Sequence, residues 1–89
     1  MIYKILISSE AFREIELAEC FFKSKGIEQE FLKDLNTQFL FLEKMPLSRQ
    51  IRYKGIRIHL LEIYNYSIHY IVNKNDVMVL HVLNQSQDF

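Results

Sequence analysis

Apolar positions change their spacing twice along this chain. Residues 2–7 are rich in β-branched and aromatic side chains and run into Ser8-Ser9, which predicts a first strand ending at turn and N-cap residues. From there Ala11, Ile15, Ala18 and Phe22 recur at i, i+4, i+7 and i+11, the spacing of one helix face. Phe12, Glu16 and Glu19 give this helix a partly polar flank. Ser8 or Ser9 can accept a bond from a first-turn N–H, Glu10 complements the positive end of the helix dipole, and Lys23, Lys25 and Gly26 supply the stop. Gly26 takes a positive φ at little cost and lets the chain reverse into a second stripe, Phe31, Leu35, Phe39 and Leu42. Leu40 and Phe41 widen that stripe, which predicts apolar neighbours on more than one side. Pro46 closes the helix, because its ring disfavours a helical Met45 and it has no N–H to donate.

A polar loop is expected up to Gly55, after which the period falls to two. Ile56, Ile58 and Leu60 alternate with Arg57, His59 and Leu61, and Ile68, Tyr70 and Val72 alternate with Ser67, His69 and Ile71. Asn73-Lys74-Asn75-Asp76 is a turn by composition, and the uniformly apolar residues 77–83 predict a central strand covered on both sides. The expected order is β-α-α-β-β-β. This is an α+β domain in which a helical hairpin packs on a small antiparallel sheet whose last three strands form a meander.

Length and composition narrow the class. The 89 residues leave room for one core, so residues 1–89 are expected to form a single domain. With 49% hydrophobic and 13% aromatic residues the chain has the material for a packed interior. The single cysteine, Cys20, allows no intrachain disulfide, and the first residues have neither a long apolar run nor a small-residue cleavage site. No stretch approaches the ~18 to 20 apolar residues that cross a bilayer. A cytoplasmic protein with no membrane partner is therefore expected.

Net charge is zero, which excludes a strong whole-molecule pull toward nucleic acid. The charges are nonetheless unevenly placed. Residues 1–45 carry 6 Lys/Arg against 8 Asp/Glu, and residues 46–89 carry 5 against 3. Arg49, Arg52, Lys54 and Arg57 form a basic stretch with no acid between Pro46 and Leu61, which makes these four the candidate target-binding residues, against the alternative of a solvated loop and strand face. Tyr53, Tyr64, Tyr66 and Tyr70 lie near them and could stack on bases, although half-buried sheet tyrosines are the simpler expectation. His59, His69 and His81 fall in three different strands without HxxxH or CxxC spacing, so no metal site is expected. The two glycines, Gly26 and Gly55, make no phosphate loop, no nucleophile motif is present, and no cofactor is implied.

A helical hairpin, Met45-Pro46, Tyr53-Lys54-Gly55-Ile56-Arg57, Tyr66-Ser67-Ile68-His69-Tyr70 and the closing segment Val79-Leu80-His81-Val82-Leu83-Asn84-Gln85-Ser86-Gln87-Asp88 follow one another in an order that resembles the RelE/ParE toxin superfamily. The closing segment is similar to the ParE-like pattern of a hydrophobic strand running into His-Gln-Ser-Arg-Asp, with Asn84 and Gln87 in place of the histidine and arginine. The resemblance implies a bacterial, plasmid-stabilising type of toxin held inactive by a cognate antitoxin. In its ParE-like branch the implied target is DNA gyrase; in its RelE-like branch it is mRNA on the ribosome, cut by an endoribonuclease. Cleavage without a metal needs cations and a proton donor at fixed places. Arg57 and His59 fall where RelE-like enzymes carry basic strand residues, and are the catalytic candidates under that reading. Ser67 stands where an arginine follows the tyrosine of the third strand, Gln87 replaces a later arginine, and the chain stops before a terminal tyrosine. Loss of one phosphate-binding cation commonly costs on the order of a hundredfold in rate, so the ParE-like binding toxin is the expectation. A ribonuclease, or a non-toxic protein that only binds the antitoxin, are its alternatives.

Overall fold

A computed structural model of the chain describes residues 2–85. It contains strand β1 (Lys4–Ile7), helix α1 (Ser9–Lys23), helix α2 (Glu28–Lys44), a single 3-10 turn (Pro46–Ser48), and strands β2 (Ile51–Tyr53), β3 (Ile56–Leu60), β4 (Tyr66–Asn73) and β5 (Asp76–Asn84). The α+β architecture that the periodicities predict is the one observed. In detail the sheet is larger and mixed, with five strands in the order β1-β5-β4-β3-β2. β1 runs parallel to β5 from Lys4↔Asp76 to Ile7↔Val79, while β2, β3, β4 and β5 form the antiparallel meander.

The local signals work as their chemistry requires. The Ser8 hydroxyl caps α1 by accepting from the Ala11 N–H at 3.0 Å, and it also donates to the Leu80 carbonyl at 3.0 Å, so one side chain ties the helix start to β5. Gly26 takes φ +73° after α1, where the Ile27 N–H returns to the Phe22 carbonyl at 3.0 Å. Pro46 is buried just past α2, and Met45 closes that helix by donating to the Phe41 carbonyl at 2.9 Å.

Two expectations are corrected. The loop before Gly55 contains the short edge strand β2, turned into β3 by Lys54 at φ +47° and Gly55 at φ +76°, a two-residue hairpin turn of the kind whose twist suits the flanking strands. The uniformly apolar strand β5 lies inside the sheet, between β1 and β4, but it is not covered on both faces: it buries Val77, Val79 and Val82 while its other side chains are partly exposed. The inward spacing lengthens after Val79 because the β4–β5 register shifts there, with Tyr70 opposite Val79 but His69 opposite His81.

Both helices cover one sheet face. Ala11, Ala18 and Phe22 of α1 and Phe31, Leu35 and Leu42 of α2 pack with Tyr66, Ile68, Tyr70, Val77, Val79 and Val82. An aromatic cluster closes one end, with Phe22 stacked on Phe31 at 4.7 Å between ring centroids and Tyr66 edge-on to Phe31 at 5.3 Å.

Candidate functional site

The sheet leaves two edges with distinct chemistry, and the residues singled out in the sequence gather at one of them. Arg49 follows the 3-10 turn, Arg52 lies in β2, Lys54 in the hairpin turn and Arg57 in β3. The structure brings Arg49, Arg57 and His59 together. The Arg49 Nε donates to His59 Nδ1 at 2.9 Å, and an Arg57 Nη donates to the Arg49 carbonyl. Arg49 and Arg52 line a pocket of about 250 Å³ with Ile58 and Leu60. Lys54 stays at the exposed tip of the turn.

His59 differs most from a free catalytic side chain. It is only 3% exposed and lies flat against Phe41, with ring centroids 5.1 Å apart and planes 15° from parallel. Because Nδ1 accepts from Arg49, Nε2 carries the proton, facing Gln38 Oε1 at 2.6 Å. Gln38 donates in turn to Asp34 Oδ1 at 3.3 Å, and Asp34 Oδ2 accepts the backbone N–H groups of Ile63 and Tyr64 at 2.9 and 3.2 Å. Burial, and then the Arg49 charge beside it, lowers the His59 pKa from 6.5 to about 4, so the ring is neutral at physiological pH. Asp34 and Gln38 escaped the sequence reading. Their signal was available: two polar residues four apart that interrupt the apolar stripe of α2.

A second polar array joins β2 to β4. Tyr53 Oη lies 3.2 Å from His69 Nδ1, and Ser67 Oγ lies 3.0 Å from His69 Nε2. His69 and Ser67 are fully buried. Burial lowers the His69 pKa, helped by His81 and opposed by Glu14. A Ser–His pair at this distance has the spacing of a nucleophile and its base. With neither side chain exposed to solvent, it has no access for a substrate. Ser67, the position where the resemblance would place an arginine, is therefore a packed interior site. Gln87 lies outside the described residues. Of the four tyrosines near the basic stretch, Tyr66 and Tyr70 are buried, Tyr64 is half-buried and Tyr53 is exposed. Tyr70 donates to the Pro46 carbonyl at 2.6 Å, and burial pushes its phenol pKa up against the opposing pull of Arg57 and Arg49. The three histidines do not converge: among the described residues no group of His, Cys, Asp and Glu is placed to hold a metal.

The opposite edge of the sheet is acidic and apolar. β5 runs on from Val79 to Asn84 after its last pairing with β1, and α1 lies beside this extension. Glu14 Oε1 accepts the Val82 N–H at 2.9 Å, and Glu14 Oε2 lies 3.1 Å from His81 Nδ1. Between helix and strand is a groove of about 440 Å³ lined by Glu14, Leu17, Ala18, Phe21, Tyr66 and Val82 among others. Leu17 is 66% and Phe21 52% exposed, large apolar side chains four residues apart on the same side of α1.

A helical hairpin on one face of a mixed sheet, with the first strand parallel to the last, is an architecture that the chain shares with a solved structure. The likeness is to a chain of the solved structure described as the chromosomal ParDE TA system from P. aeruginosa, with a TM-score of 0.81 over 93% of this chain and 96% of that one. Sequence identity is 13%, so the likeness establishes the architecture. No family model matches the sequence. No curated protein matches it either.

Proposed function

We propose that the chain is the toxin of a ParE-like toxin–antitoxin pair, acting in the cytoplasm by binding DNA gyrase and neutralised by a cognate antitoxin. One observation carries the reading: a fold shared with a chain of a ParDE system, in which His59 of the RNA-cutting set is buried and Ser67 and Gln87 stand in place of arginines, leaving Arg57 without these partners. His59 is sequestered between Gln38, Phe41 and Arg49, and Ser67 is enclosed, so neither stands exposed to take part in leaving-group protonation. The groove between α1 and β5 supports the antitoxin assignment. Its exposed Leu17 and Phe21 beside an acidic wall suit an amphipathic segment with apolar anchors and basic flanks.

The experiment is induction of the chain in bacteria with and without the product of any short gene that adjoins its own. Growth arrest with filamentation and inhibited gyrase supercoiling in vitro is the expected result, relieved by the neighbour. Rapid loss of translation with ribosome-dependent mRNA cleavage would replace this reading by the ribonuclease, whereas unimpaired growth with retained binding to the neighbour would reduce it to an antitoxin-binding protein. Leu17→Asp with Phe21→Asp is expected to abolish neutralisation and leave arrest intact.

A further inference from the structure

The edge formed by β2 and β3 carries a second interaction surface, distinct from the groove at α1 and independent of the toxin reading. β2 pairs only with Ile56 and Arg57, so residues 58–60 of β3, which pair with β4 on one side, run on beyond β2 with no strand on the other side among the described residues. The pocket at this place has an aliphatic floor, Ile58 and Leu60, and cationic walls, Arg49 and Arg52. Leu60 is 52% exposed, and Ile51 on the neighbouring edge strand is 56% exposed.

Arg49 is held as a binding group is held. Its Nε is fixed on His59 Nδ1 at 2.9 Å, its guanidinium carbon lies 5.6 Å from the centre of the Phe41 ring, and its own carbonyl takes the Arg57 guanidinium. His59 is fixed in turn by Gln38 and by stacking on Phe41. The guanidinium Nη atoms have no hydrogen-bond partner among the described residues, and a planar fork of this kind matches a carboxylate. We propose that the free edge of β3 between Arg49 and Arg52 docks an extended acidic segment of a partner protein, with Arg49 binding a carboxylate and His59 positioning Arg49.

Three observations select this occupant. An unpaired strand edge takes an extended chain by adding a strand. The cationic walls stand in a stretch with no acid from Pro46 to Leu61, which complements acidic side chains. The aliphatic floor takes an apolar side chain between them, whereas single-stranded nucleic acid calls for aromatic platforms. Here the Phe41 ring already carries His59 and Arg49, and the Tyr53 hydroxyl is engaged with His69.

The test is fluorescence anisotropy of the whole chain with a short labelled peptide alternating glutamate and leucine, the same peptide with lysine for glutamate, and a short oligouridylate. The glutamate peptide is expected to bind in preference to both others. Arg49→Gln, which alters an exposed residue, should weaken it about tenfold or more, the value of a charge-assisted pair, and Arg52→Gln about threefold. Arg49→Lys keeps the charge but not the fork and should lose nearly as much as Arg49→Gln. His59→Asn sets an oxygen where Nδ1 stands and should hold affinity within about threefold, while His59→Phe keeps the stack without the acceptor and should fall to the Arg49→Lys level. Peptide affinity unchanged in Arg49→Gln would overturn the docking site, as would tighter binding of the oligouridylate through the same arginines. Equal loss in His59→Asn and His59→Phe would remove the positioning role. The two Arg49 variants decide the site even if a His59 variant fails to fold.

Discussion

Single side chains in this fold do several things at once, and His59 shows the consequence most clearly. Its neutral ring joins Arg49 to Gln38, so a proton cannot be added without breaking a bond to Arg49 or placing two cations together in a desolvated site. The folded-state pKa of about 4 lies below the ordinary 6.5. As pH falls through 6.5 the unfolded chain takes up the proton and the folded chain does not, so stability is lost between about pH 6.5 and 4 and is fully present above 6.5. The loss from this residue should be on the order of 3 kcal/mol. His69, also lowered, changes stability in the same direction. Urea midpoints measured across this window should fall in the wild type and flatten in His59→Gln; an unchanged slope would locate the effect elsewhere. Ser67→Arg makes a sharper contrast. It places a cation where the resemblance has one, but Ser67 is fully buried against His69 and the Leu83 carbonyl. A guanidinium there should cost about 3 kcal/mol or more through overpacking and desolvation, and circular dichroism should register the loss of fold before any gain of activity.

Elements here are joined by a few residues whose roles can be separated. Lys54 and Gly55 both have positive φ, and a Cβ on Gly55 would meet nothing within 4 Å, so Gly55→Ala should cost about 1 kcal/mol from backbone strain alone. Lys54→Asn should stabilise by about 0.5 kcal/mol, because asparagine tolerates the left-handed region that lysine resists, while removing one of the four basic charges. Thermal melts of the two variants should therefore move in opposite directions. At the other edge, Glu14→Ala strips the Val82 N–H of its acceptor and should cost about 1 to 2 kcal/mol, with faster hydrogen exchange confined to that amide and its neighbours. The sequence disclosed both helices, the start of the first at Ser8 or Ser9 and the reversal at Gly26, and strands β3, β4 and β5, because each carries a run of periodic positions or a residue suited to a cap or turn. It hid β2, whose Ile51-Arg52-Tyr53 is too short to show alternation, and the register shift beside Tyr70, which turns on partner geometry rather than on composition. The candidate site was legible as a charge pattern in Arg49, Arg52, Lys54 and Arg57. Its organisation was not, since Gln38, itself bonded to Asp34, reaches His59 from a helix distant in sequence.

The whole molecule has no net charge, yet its two sheet edges differ, with Glu10 and Glu14 beside β5 and Arg49 and Arg52 beside β3. Binding at either edge should weaken with added salt, while the fold, held by an apolar core, should respond little; anisotropy and thermal melts across the same salt series would check both. The parallel pairing of β1 with β5 bears on how the chain comes into being. Ile7 finds its partner at Val79, and Ser8 its acceptor at Leu80, so the first strand made is completed by the last. Until residues 76–84 have left the ribosome, β1 has no strand to pair with, Glu14 has no Val82 amide to accept, and the groove at α1 has only one wall. A nascent chain is therefore not yet the molecule its partners recognise, and closure of this long loop is the step that creates it.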